Sequence, residues 1–140
     1  VDKAKFEKVK DKMPARFARR AEHFYSEYKR VREAVSAWEM GDLEWFGKLS
    51  FESCESSIHN YECGSPELIE IYKAMRKTDG IYGGRFSGAG FKGACIAICN
   101  PSKLDEIRES ITQKYLARFP QYKNSFMCTF VDTDNGARFV

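Results

Sequence analysis

The sequence holds no run approaching the roughly 18 apolar residues of a membrane span, and no charged, apolar and small-residue leader pattern opens it. Histidine is scarce, with His23 and His59 alone, and the five cysteines Cys54, Cys63, Cys95, Cys99 and Cys128 form no Cys-x-x-Cys pair. A zinc cage, and any other metal site, is therefore not expected. The thiols read as reduced and mostly buried, and the expected compartment is the cytoplasm. A strong charge of one sign is also lacking: 23 Lys and Arg against 20 Asp and Glu leave +3. The two signs alternate along the helical stretches, which argues against a nucleic-acid surface, although Ala15 to Arg20 is basic enough to gather small anions. Internal repeats and low-complexity segments are absent, as is a Walker A loop.

What is present is enough apolar material for one core. A chain of 140 residues with 43% hydrophobic and 14% aromatic residues has the size and composition of a single domain, 1–140. Its first fifteen residues, lysine-rich and solvated, read as a linker or partly ordered lead-in. The start at Val1 reads as a point inside a longer polypeptide.

Phe17, Ala21, Phe24, Tyr28, Val31, Val35 and Trp38 recur in steps of four and three, which predicts a helix with one apolar stripe, assigned here to the core. Gly41-Asp42 stops it and caps a second helix, carrying Trp45, Phe46, Leu49, Ser53 and Ile58, to give an antiparallel helical hairpin. Ser65-Pro66-Glu67 announces a third helix with Leu68, Ile71, Tyr72 and Met75 inward, ended by Thr78-Asp79-Gly80. The period then changes to 2. Ile81 to Phe86 and Ala94 to Cys99 read as antiparallel strands. Asn100-Pro101-Ser102 opens a fourth helix with Leu104, Ile107, Ile111 and Tyr115, ending before Pro120. Phe126 to Val131 reads as a third strand, and Asp134-Asn135-Gly136 as a tight turn returning through Ala137 to Val140. This order predicts an α+β fold with helices on one face of an antiparallel sheet.

Between the first two strands lies Gly83-Gly84-Arg85-Phe86-Ser87-Gly88-Ala89-Gly90-Phe91-Lys92-Gly93, with five glycines, more than a tight hairpin requires. The residues alone leave two readings, a plain turn and a loop whose successive amides form an anion-binding nest. The segment leads into a strand and not a helix, so it is not in a dinucleotide-binding setting.

Ser87-Gly88-Ala89-Gly90-Phe91-Lys92-Gly93 resembles the third signature motif of the GHMP kinases, the galacto-, homoserine, mevalonate and phosphomevalonate kinases. The likeness extends to Phe46-Gly47-Lys48-Leu49, Glu52-Ser53, Ser56, Tyr61-Glu62, Pro66-Glu67-Leu68 and Gly80-Ile81-Tyr82-Gly83, which are similar to the galactokinase branch in order and spacing. Arg19-Arg20, His23, Arg30-Val31 and Gly41-Asp42 fit its helical hairpin. Cys54, Lys92 and Ala94 stand where galactokinases usually carry His, Gly and Cys. Asn60-Tyr61-Glu62-Cys63-Gly64 and the loop lysine are more similar to galacturonokinases, so both sugars stay open.

The resemblance implies a ferredoxin-like C-terminal domain that pairs with an N-terminal GHMP kinase domain around a sugar substrate. The N-terminal half would hold most of the ATP and Mg²⁺ contacts and the catalytic residues, so none is expected in this chain. The loop Ser87, Gly88, Ala89, Gly90, Phe91, Lys92 and Gly93 would close over the active centre and support the phosphates. Lys92 would meet a sugar carboxylate or a phosphate, or be an exposed lysine at a hairpin tip. By themselves these 140 residues are expected to be inactive. A non-catalytic sugar-sensing or binding module of the same fold is the alternative.

Overall fold

A computed structural model describes residues 2–134 and 136. Helix α1 (Lys3–Val9) leads through a short 3-10 turn at Lys10–Lys12 into the long α2 (Ala15–Glu39). After α2 come α3 (Leu43–His59), α4 (Pro66–Arg76), β1 (Ile81–Phe86), β2 (Cys95–Cys99) and α5 (Leu104–Arg118). The architecture is the expected α+β arrangement: an antiparallel sheet with helices packed on it, preceded by a helical hairpin. The expected punctuation is seen atom by atom. Asp42 caps α3 by accepting from Trp45 N at 2.8 Å, and the Ser65 hydroxyl caps α4 by accepting from Leu68 N at 3.3 Å. Asn100 accepts from Ser102 N at 2.9 Å and opens the 3-10 turn that runs into α5.

β1 and β2 pair antiparallel, Phe86 opposite Cys95 and Ile81 opposite Cys99, with a register irregularity between Ile81 and Gly83. Successive strand residues face opposite ways, and β1 uses this to hold two layers. Gly83 lies against α3, while its neighbour Gly84 lies against the Met75 side chain of α4. The core forms where α4, α5 and the sheet meet: Leu68, Tyr72, Met75, Phe86, Ile107 and Ile111 are buried together, with Cys54 of α3 reaching in.

Two expectations change. Phe126 to Val131, expected as a strand, pairs in no ladder among the described residues. Phe126 and Phe130 nevertheless pack on the core, and the Phe126 ring lies 4.5 Å from that of Tyr115, so burial is achieved by side chains without a third strand. The expected turn and return strand at residues 134–140 fall largely outside the described residues.

The larger change concerns α2, whose stripe is not core. Phe17, Phe24, Tyr28, Val31, Val35 and Trp38 are 44% to 64% exposed. The face of α2 that meets α3 is instead largely polar. His23 Nδ1 lies 3.0 Å from Ser56 Oγ, and Ser53 Oγ donates to Glu27 at 2.7 Å. Glu27 also accepts from Arg30 Nε at 2.9 Å, and Arg30 reaches Ser26 Oγ at 2.6 Å. Periodicity identifies an apolar face but not what covers it; here the serines of α3 select the polar side of α2.

Candidate phosphate-binding loop

The loop that joins β1 to β2 is closed at its base, where Ser87 N donates to Ala94 O at 2.9 Å. It is also fixed at its middle. Ser65 N, in the residue that caps α4, donates to Gly90 O at 2.6 Å. Gly90 itself is buried at φ +80°, and a Cβ there would stand 2.4 Å from the Phe86 ring. The same ring also meets Gly64, where a Cβ would come within 2.8 Å. Phe86, 3% exposed, is thus a plug between the loop and the turn that joins α3 to α4.

That turn is itself held from α2. Glu62 adopts φ +64°, a left-handed conformation costly for a side chain that is not glycine. Its carboxylate pairs with Arg19, and with Arg20 at 3.2 Å. The Arg19 hydrogen bond, aided by the charge of both arginines, holds the Glu62 carboxyl below the usual carboxylate range. Arg19 and Arg20, part of the basic stretch expected to gather small anions, are occupied with Glu62. His59 pairs at 3.0 Å with Glu55 on its own helix.

Outside its anchors the loop is open. Ser87, Gly88, Ala89, Phe91, Lys92 and Gly93 are exposed, and Gly88 and Gly93 also have positive φ, with nothing within 4 Å of where a Cβ would stand. Among the described residues, the amides of residues 88–93 donate to no protein acceptor. Such a run of free amides in left-handed and turn conformations can accept an anion. Lys92 has no ion pair among the described residues, and with Phe91 and Gly93 it borders a cavity of about 740 Å³ between β2, α5 and residues 125–130. The loop carries no carboxylate, imidazole or thiol, so what it offers is binding and orientation.

The surrounding thiols are poor nucleophiles. Burial raises Cys54 to about 11 and Cys95 to about 12. All five cysteines are free. Among the described residues there is no cluster of His, Cys, Asp and Glu able to hold a metal ion, and no helix is long and apolar enough to cross a membrane.

Sequence reading found the loop but missed its supports. Around the segment Ser87 to Gly93 the structure places Phe86, Gly64, Ser65 and, through Glu62, the arginine pair. Gly64 just ahead of the cap at Ser65 was a usable signal, since a glycine there serves close approach as readily as turning.

The chain matches the family model described as GHMP kinases C terminal over residues 28–117. It is 42% identical over 125 residues to a galacturonokinase of Arabidopsis thaliana, a match covering 89% of this chain and 30% of that protein. It is 32% identical over 115 residues to a galactokinase of Bos taurus, covering 82% and 29%. Among solved structures it is similar to Lactococcus lactis galactokinase complexed with galactose, with a TM-score of 0.79 and 28% identity over 86% of this chain and 31% of that one. The chain spans about 30% of the length of the relatives it matches.

Proposed function

This chain belongs to the GHMP kinase family, matching its C-terminal part, and on that premise we propose that residues 1–140 form the C-terminal domain of an ATP-dependent sugar kinase acting on the anomeric hydroxyl of galactose or galacturonate. The observation that carries the proposal is the loop. Its free amides are exposed while its middle is tied to the α4 cap and plugged by Phe86, an arrangement that holds donors still for an anion.

Phosphoryl transfer gains mainly from positioning and from stabilising charge on the transferring group. ATP with Mg²⁺ supplies that group and part of the neutralising charge, and the segment absent from this chain would hold most of both. Ser87, Gly88, Ala89, Phe91, Lys92 and Gly93 would present amides to the phosphate oxygens or to the phosphate loop of the partner half. Preorganised donors of this kind stabilise developing charge without changing protonation. Gly90 would contribute through its carbonyl anchor and close packing. Lys92, free of protein partners among the described residues, would favour a sugar bearing a carboxylate, and the higher identity to the galacturonokinase supports that preference.

A substrate panel on the polypeptide of the complete reading frame tests the proposal. Galacturonate or galactose is expected to be phosphorylated, and both remaining inert while mevalonate or homoserine reacts would overturn the assignment.

A further inference from the structure

The outward stripe of α2 is a surface in search of a cover. A helix of 25 residues is about 37 Å long, and along it Phe24, Tyr28, Val31, Val35 and Trp38 are each more than half exposed. The stripe does not end at the helix. Val31, Val35 and Trp38 form one wall of a mostly apolar pocket of about 480 Å³, whose other side is Phe46 and Leu49 of α3 and whose limit is Arg85 of β1. Arg85 is half-buried and makes no hydrogen bond or ion pair among the described residues. A half-buried guanidinium at the edge of an apolar pocket calls for an acceptor. Isolated exposed apolar residues need no explanation, whereas a continuous stripe with a pocket and an unmatched charge marks an interaction face.

We propose that this stripe and pocket seat the segment that makes up the other two thirds of the relatives, which lays an apolar element along α2 and brings a carboxylate or carbonyl to Arg85. The proposal rests on the kinase reading above for the existence of that segment, and it assigns the face on which the segment sits. Two observations favour this occupant over a second copy of the chain. The relatives are single polypeptides of which this chain covers about 30%, so a covalently attached partner exists in each of them. The stripe also offers a modest area: five or six partly exposed side chains amount to roughly 500 Å², below the ~800 Å² per side of a stable free complex. Such an area suffices when the partner is tethered, because the effective concentration is then millimolar. Counted over both sides, about 1,000 Å², it falls in the range of interfaces between domains of one chain.

Hydroxyl-radical footprinting of the 140-residue chain and of the polypeptide from the complete reading frame tests this. Phe24, Tyr28 and Trp38 are expected to label freely in the first and on the order of tenfold less in the second. Val31→Glu, at an exposed position, is expected to leave the unfolding midpoint of the 140-residue chain unchanged and to uncover Trp38 in the complete polypeptide. Arg85→Met is expected to raise Trp38 labelling there several-fold. Equal labelling of Trp38 in the two polypeptides, or a reading frame with nothing ahead of Val1, overturns the proposal. So does protection within the 140-residue chain accompanied by a dimer mass, which would make a second copy the occupant. The footprint does not depend on turnover: protection without phosphorylation of any sugar keeps the docking face and sinks the kinase reading, while sugar phosphorylation without protection does the reverse.

Discussion

Gly47 of α3 and Gly83 of β1 meet backbone to backbone: a Cβ on Gly47 would stand 2.1 Å from the carbonyl oxygen of Tyr82, and one on Gly83 would stand 2.2 Å from Gly47 Cα. Neither obstacle is a flexible side chain that could swing away, so a methyl group at either position has to part the helix from the strand. Overpacking of this kind costs about 3 kcal/mol, the upper end of the usual range, or roughly 10 °C in Tm for a chain of this size. Thermal unfolding of Gly47→Ala and Gly83→Ala measures it, and unchanged midpoints would mean that α3 is not seated on β1.

The loop's two exposed and buried glycines separate function from folding. Gly90 is pressed against Phe86, so Gly90→Val is expected to damage the fold as well as the site. Gly88 has φ +89° and open space around it. Gly88→Ala is therefore expected to cost about 1–2 kcal/mol of local backbone strain while lowering turnover of the complete enzyme on the order of a hundredfold through a misplaced loop. Steady-state kinetics beside thermal unfolding gives both numbers; wild-type turnover in Gly88→Ala would reduce the loop to a turn.

Lys92 is expected to separate the two sugars. Lys92→Gly removes a charge that has no protein partner among the described residues, so folding is expected to be unaffected. If that charge meets a sugar carboxylate, KM for galacturonate rises while turnover on galactose is kept. Equal effects on the two sugars would place the lysine at the phosphates instead.

His23 is expected to give the fold a pH dependence. Burial between α2 and α3 lowers its imidazole below the ordinary 6.5, in spite of the nearby Glu27 carboxylate. The unfolded chain therefore takes up its proton at a higher pH than the folded one. Stability is complete above about pH 6.5 and is lost as pH falls toward the lower folded-state value. Chemical denaturation between pH 7 and 5 is expected to show this slope in the parent protein and a flatter one in His23→Gln; identical slopes would remove His23 as the cause.

Local signals were read well where local physics decides the outcome. Asp42, Ser65 and Asn100 cap the turns and helices that their residue types announce, and Leu68, Tyr72, Met75, Ile107 and Ile111 are buried as their spacing implies. Reading failed where the answer depends on a distant surface. The stripe of α2 has the period of a core helix, yet it stays largely exposed among the described residues, while His23 and Glu27 find partners on α3. The glycine-rich segment shows both cases. Its loop was recognisable as a motif, but Gly83 and Gly84 serve packing against α3 and Met75, and the anchoring of Gly90 by Phe86 and Ser65 joins residues too far apart in sequence for any spacing rule to connect.

The most direct test is phosphorus NMR of the reaction of the complete polypeptide with ATP and galacturonate or galactose. The account predicts a new phosphomonoester signal coupled to the anomeric proton of at least one of the two sugars, and no such signal from the purified 140-residue chain. A sugar phosphate formed by the 140-residue chain alone, or a complete polypeptide that leaves both sugars untouched and phosphorylates mevalonate or homoserine, would contradict it.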